Sequence, residues 1–268
     1  WSTRSARHGS TSTADRPRSR STPRRKTTAL LRRRGLAVAH CTVDRLMREH
    51  GWNGLRRGRM HRTTVPAKDG ARAGDLLNRD FRAGAPNRVW VADFTYVRTW
   101  AGFTYVSFVV DVFAQKIVGW HAMSSRPTDL VMVPLRMACW AREQQKHPVV
   151  AGELTAHSDA GSQYVSVRYT EHLALEGIAA SIGTVGDAYD NCLMESIIGL
   201  FKNECIKPGP FVTGPIKNLT DVEMATMAWV DRWNHRRLHS SIAMLTPTEA
   251  EAAHYAATTA LHPEPQPA

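Results

Sequence analysis

From Arg88 onward the chain changes from a basic, polar stretch to a fixed succession of apolar segments, and that succession limits the possible fold more than any other feature. Residues 89–97, 103–110 and 116–121 are rich in β-branched and aromatic side chains, with Trp100-Ala101-Gly102 and Ala114-Gln115 as turns between them. They predict three antiparallel strands in a meander. Helical spacing follows over 127–142, then a short strand over 153–158 that ends at Asp159. An amphipathic helix over 167–176 stops at Gly177, and a strand over 178–182 leads into a long helix over 187–205. The order β-β-β-α-β-α-β-α implies an α/β fold with a mixed five-stranded sheet and flanking helices. Two further helices are expected over 221–233 and 248–255, with an Arg- and His-rich connector between them.

Charge divides the chain at the same place. Residues 1–88 hold 22 basic and 6 acidic side chains, while residues 89–268 hold 13 and 18, so an overall charge of +11 is concentrated in the first third. A basic arm joined to a mildly acidic globule points to a polyanionic partner. With 43% hydrophobic residues the chain can bury a sizeable core. No apolar run approaches the ~18 residues of a membrane-spanning helix, since even 106–113 is interrupted by Asp111; no membrane partner is expected. Cys41, Cys139, Cys192 and Cys205 lie far apart without a C-x-x-C pair, which suggests neither a disulfide framework nor a zinc site and fits a reducing cytosol.

The arm itself is uneven. Residues 1–28 contain 19 Ser, Thr or Arg and no Leu, Ile, Val, Phe or Met, so this segment is expected to be disordered and has no apolar face for a transit peptide. The absence of an initiating Met suggests a fragment or a translation begun inside a longer frame. Apolar residues recur from Leu30, and Val43, Leu46 and Met47 can share a helical face that starts after Thr42 as N-cap and stops at Gly51. The expected organisation is a disordered basic segment (1–29), a partial helical DNA-binding segment (30–62), a linker (63–86), a core (87–208), a helical extension (209–256) and a disordered tail (257–268).

Three acidic residues stand out by position: Asp93 inside the first strand, Asp159 just after the fourth, and Glu195 on the long helix. An Asp within a strand is unfavourable in propensity and in burial, and needs a compensating partner. Clustered carboxylates holding Mg²⁺ supply one, and two such ions about 3.5 to 4 Å apart stabilise the attacking and leaving oxygens of an in-line phosphoryl displacement. Singly, each acid has a plainer reading, Asp93 capping a bend and Glu195 solvated on a helix. The sequence context changes the balance: the words Trp90-Val91-Ala92-Asp93-Phe94-Thr95-Tyr96, His157-Ser158-Asp159-Ala160-Gly161-Ser162-Gln163-Tyr164 and Gly186-Asp187-Ala188-Tyr189-Asp190-Asn191-Cys192-Leu193-Met194-Glu195-Ser196 occur in order, with 35 residues between Asp159 and Glu195.

From about Arg34 to about Tyr255 this pattern resembles the DDE transposases related to retroviral integrases, in particular the B-frame product (OrfB) of the third insertion-sequence family of bacteria. The resemblance implies a ribonuclease-H-like core in which Asp93, Asp159 and Glu195 bind two Mg²⁺ or Mn²⁺ ions, cut DNA at the element's ends and join the freed 3′-OH to target DNA. It implies a homo-oligomer on DNA, because two ends must be joined. A basic residue seven positions after the glutamate, here Lys202, contacts DNA in the family. Helix geometry agrees, placing Lys202 within about 20° of Glu195 and roughly 10 Å further along the axis, with Asn191 on the same face. The word Trp233-Asn234-His235-Arg236-Arg237-Leu238-His239, followed by Thr246-Pro247, looks like the family's closing signature. Arg236, Arg237 and His239 can contact phosphates there, or can be a helix end favoured by the dipole.

Other residues have simpler readings: Asp111 hydrogen-bonds a turn, His157 packs, and Cys192 replaces the family's common Ala. Two other functions remain in view, a catalytically silent DNA-binding remnant and a ribonuclease H. The second lacks a matching extra carboxylate in the first core helix, where Asp129 lies near the start and Glu143 near the end. The arm is open to direct test. Removing residues 1–60 takes away 16 of the 35 basic side chains, so DNA affinity is expected to fall and its salt dependence to flatten while the core still folds; salt titrations of binding and circular dichroism of the truncated chain check both.

Overall fold

The computed structural model describes residues 24–52, 75–77, 80–159, 161–183, 191–209 and 211–261. The chain divides into two units, Trp1–Leu55 and Arg56–Ala268.

In the first unit, helices α1 (Arg24–Arg33) and α2 (His40–Glu49) form a pair. Arg24 bonds Asp44 across it at 2.6 Å, and Thr28, Val43 and Met47 are buried. Residues 24–29, expected to be disordered, are helical; residues 1–23 lie outside the described part. Thr42 lies within α2, whose N-cap is Ala39. Gly51 does end the helix. With φ +63° it lets its own N–H reach Arg48 O and that of Trp52 reach Met47 O, a paired closure that a side chain at this φ would strain.

The second unit is built on five strands: β1 (Val89–Thr99), β2 (Gly102–Asp111), β3 (Lys116–Met123), β4 (Thr155–Ser158) and β5 (Ala179–Ile182). Their order across the sheet is β3-β2-β1-β4-β5, antiparallel from β1 to β3 and parallel from β1 to β5. The mixed α/β sheet expected from the pattern is what forms. Helices α3 (Asp129–Gln144) and α4 (Val167–Leu175) cover one face, where Trp90, Ala92 and Val109 pack on Val131, Leu135 and Leu173. Helices α5 (Cys192–Phe201) and α6 (Leu219–His235) cover the other, where Val91, Phe108 and Val110 meet Ile197, Phe201 and Trp229. Gly119 lets α3 approach β3, since a Cβ there would stand 2.0 Å from Pro134 O.

Segments read as connectors also carry packing. Leu77, Phe81 and Ala83, from the end of the expected linker, pack on the core, and the Leu76 N–H donates to Ser181 Oγ at 2.9 Å. Helix α7 (Pro247–Leu261) runs beyond the boundary expected at 256. Its start is a capping box: Thr246 N–H donates to Glu249 Oε2, and Glu249 N–H to Thr246 Oγ1.

A buried ionic network ties α7 to the sheet. Arg142 of α3, with none of its side chain exposed, donates to Asp111 Oδ2 at 2.8 Å and to both oxygens of Glu251 at 2.6 and 2.8 Å, and Lys116 Nζ reaches Glu251 at 2.6 Å. Asp111 also accepts from the N–H groups of Asn87 and Phe113 and from Trp90 Nε1, so its turn role is one part of a larger one. Burial alone would raise the Glu251 pKa, but Arg142 and Lys116 hold it below the usual carboxylate range. Arg142→Ala would leave two buried carboxylates without their shared cation, at a cost of about 3–5 kcal/mol. Chemical denaturation should show that loss, with Arg142→Lys recovering only part of it because one ammonium cannot make the forked contacts.

Candidate active site

The parallel β1–β4 ladder ends at the pair Ala92 and Ser158. Asp93 and Asp159 each follow that last rung by one residue, so the central strand and its parallel neighbour present their carboxylates side by side, at a strand spacing of about 4.8 Å. Asp93 Oδ1 accepts the Phe94 N–H at 2.7 Å, and Asp159 Oδ1 accepts the Gly161 N–H at 3.1 Å. Both are half-buried. Burial and then the Asp159 charge push the Asp93 carboxyl well above its ordinary pKa, with Glu195 adding to the rise and Lys202 opposing it. The Asp159 carboxyl is also raised, chiefly by burial.

Helix α5 reaches the pair through its N-cap. Asn191 is buried, and its Nδ2 donates to Ala92 O at 3.4 Å, pinning the helix start beside β1. Glu195 lies in the first turn and is exposed. Its charge is felt at Asp93, yet among the described residues no three His, Cys, Asp or Glu side chains gather closely enough to hold one metal ion. The structure thus juxtaposes two of the three expected acids, and Glu195 is not gathered with them. Residues 184–190, which carry much of the third sequence word, lie outside the described part.

Lys202 is the C-cap of α5, and its charge and that of Asp93 act on one another. Its Nζ stands 4.9 Å from the centre of the Tyr96 ring, and burial lowers its pKa while Asp93 raises it. The helix itself does not continue regularly, however. At Lys202 it widens into a π-helical turn (Lys202–Ile206), closed by the Lys207 N–H on Lys202 O, which turns Glu204 and Cys205 into the core.

The three C-terminal residues expected at DNA divide differently. Arg236 is exposed and paired with Asp231. Arg237 is only 8% exposed, bonds Glu204 at 3.0 Å and lies over Trp233; His239 is buried against the same ring. For Arg237 and His239 the expected phosphate contact is corrected to an interior position, because the π-helical turn supplies Arg237 with a buried anion, Glu204, and Trp233 packs on both. Asn234 bonds both the N–H and the C=O of Ile117, and Trp233 Nε1 donates to Gln115 O, so this word seals the edge strand β3. His157 packs as expected, with its Nδ1 2.8 Å from Ser181 Oγ.

A cleft of about 650 Å³ opens over the acidic pair, lined also by Tyr96, Phe103, Tyr105 and Arg126. These four carried no site reading in the sequence. The signal that could have found the three aromatic residues is alternation, which places them on one face of the β1–β2 hairpin beyond Asp93.

A five-stranded sheet of this order, with acids at the ends of its central parallel pair, defines a ribonuclease-H-like core of the integrase kind. Two models described as "Integrase core domain" match residues 83–188 and 176–247, and one described as "HTH-like domain" matches 24–60, beginning where α1 begins. The transposase for insertion sequence element IS629 of Shigella sonnei is 47% identical over 87% of this chain and 74% of that protein. The protein given as the transposase for insertion sequence element IS986/IS6110 of Mycobacterium tuberculosis is 48% identical over 87% of this chain and 82% of its own. The chain belongs to this family, the insertion-sequence transposases with an integrase core. A simian T-cell lymphotropic virus intasome structure shares the fold at 13% identity, with a TM-score of 0.50 over 91% of this chain and 72% of that one.

A carboxyl whose pKa is raised by folding takes up a proton that the unfolded chain releases, so it lowers stability as pH rises from the ordinary Asp range through its folded value. Without metal, Asp93→Asn should therefore raise the melting temperature at neutral pH, and the gain should vanish below the ordinary carboxylate range. Thermal scans in EDTA across pH check this, and a destabilised variant at pH 7 would contradict it.

Proposed function

We propose that the chain cuts DNA at the ends of its insertion sequence and joins the freed ends to target DNA, with Asp93, Asp159 and Glu195 as the catalytic acids. The observation that carries the reading is the side-by-side placement of Asp93 and Asp159, whose raised pKa values mark a site where a divalent cation would relieve repulsion. The donor set fits Mg²⁺ or Mn²⁺, being all carboxylate oxygen. Two such ions, when bound, would supply stabilisation of the attacking and leaving oxygens in both phosphoryl transfers.

The chain's own residues have separable parts in this reading. Asp93 and Asp159 fix the position of the scissile phosphodiester from the sheet. Glu195 completes the acidic set from α5, where its charge already bears on Asp93. Asn191 holds the start of α5 on β1, which makes it a positioning residue. Lys202 neutralises a phosphate beside the cut. Water is the nucleophile in the first transfer and the released 3′-OH in the second. The HTH-like unit binds DNA, and a homo-oligomer on DNA in the bacterial cytoplasm and nucleoid brings two ends together.

Asp159→Asn should abolish Mg²⁺-dependent cleavage and strand transfer of element-end DNA while leaving DNA affinity within about twofold, because the lost group binds cation rather than phosphate. Lys202→Ala should fold normally yet join ends poorly. Wild-type activity in the Asp159 variant would remove the acids from the mechanism; a wild-type chain that binds DNA but never cuts it would favour a silent remnant.

A further inference from the structure

We propose that Tyr96 and Phe103 form a stacking platform for an unpaired nucleobase of the DNA strand held at the acidic pair. The platform arises from unequal strand lengths. Strand β4 stops opposite Ala92, whereas β1 and β2 remain paired to Thr99 and Gly102 and β3 follows β2 only as far as Tyr105, so beyond Asp93 strand β1 runs on without β4, and past Tyr96 the sheet is reduced to the β1–β2 hairpin. Alternation puts Tyr96 on the face opposite Asp93, directly across from Tyr105, with Phe103 on the same face. Helix α3 covers that face lower down, over Trp90, Ala92 and Val109, and leaves Tyr96 and Phe103 exposed. Tyr96 is 39% exposed and Phe103 52% exposed, with their rings edge to face at 5.5 Å.

Two cations frame these rings. Lys202 Nζ lies 4.9 Å from the Tyr96 centroid on one side, and the Arg126 guanidinium lies 5.3 Å from that of Tyr105 on the other. All but Lys202 line the cleft that also contains Asp93 and Asp159. Aromatic faces between phosphate-binding cations suit a nucleotide, whose base stacks while its backbone is neutralised on either side. The base must be unpaired, because a duplex keeps its base faces stacked on one another. Stacking tolerates any base, so the platform positions a frayed end without reading its sequence. That positioning role rests on the reading of Asp93 and Asp159 as the cutting site; base binding does not.

The test uses the full chain, Ca²⁺ in place of Mg²⁺, and two fluorescein-labelled strands: a short oligothymidylate and the same backbone with abasic sites throughout. Wild type is expected to prefer the base-bearing strand by about tenfold. Tyr96→Ala/Phe103→Ala should lose most of that preference while keeping its affinity for the abasic strand, and Tyr96→Phe, which retains the ring, should keep both. Equal binding of the two strands by wild type, or an undiminished preference in the double variant, would overturn the platform. So would loss of affinity for both strands alike, the mark of a merely structural role. Failure of the transposase reading would appear elsewhere, as wild type that does not cut paired element ends in Mg²⁺.

Discussion

The parallel pairing of β1 with β4 is the constraint on which the rest depends. It is only four residues long, and it brings together segments more than sixty positions apart in the chain. Because side chains alternate, a slip of one residue would send Asp159 to the opposite face from Asp93. Register is held from several directions: by the long antiparallel ladder of β1 with β2, by β5 on the far side of β4, and by the apolar residues that must meet a helix on each face.

Two buried ionic groups support this frame from its margins. Arg142 joins the end of β2, helix α3 and helix α7 through Asp111 and Glu251, and Glu204 joins the π-helical turn to the C-terminal Arg237. Such pairs add little net stability over an apolar core, because desolvation opposes the Coulomb gain. Their directional hydrogen bonds nevertheless restrict how α6 and α7 can dock. The C-terminal helices close the edge of the sheet through Trp233 and Asn234 and steady the helix that carries Glu195 and Lys202.

The site itself is electrostatically unfavourable without a partner. Two half-buried carboxylates stand together, a third approaches, and a half-buried lysine only partly offsets them. Stability is given up at this pair, as is common at functional sites, and on the proposed reading a cation would restore it. Membership of the insertion-sequence transposases gives this arrangement its biological setting. The π-helical turn that begins at Lys202 adjoins the proposed site, an irregularity that the supporting helices α3 and α6 do not share.

The sequence by itself determined the five strands and their order, since β-branched runs, turn residues and helical spacing are local signals that survive without knowledge of the fold. It also singled out Asp93, Asp159 and Glu195, because an acid in an apolar context is conspicuous wherever it occurs. Boundaries shifted where stability comes from contact rather than propensity: α1 begins at Arg24 through its pairing with α2, and the stretch around Leu77 and Phe81 packs because the core lies beside it. Only tertiary structure decided that Arg237 and His239 face inward, since the buried Glu204 and Trp233 that receive them lie on other elements. It also decided that Tyr96 and Phe103 stay uncovered, because β4, four residues against eleven for β1, ends well short of them. Local patterns name the elements and mark the odd residues, but which side chains meet depends on register and relative length, and these are set by the packing of the whole sheet.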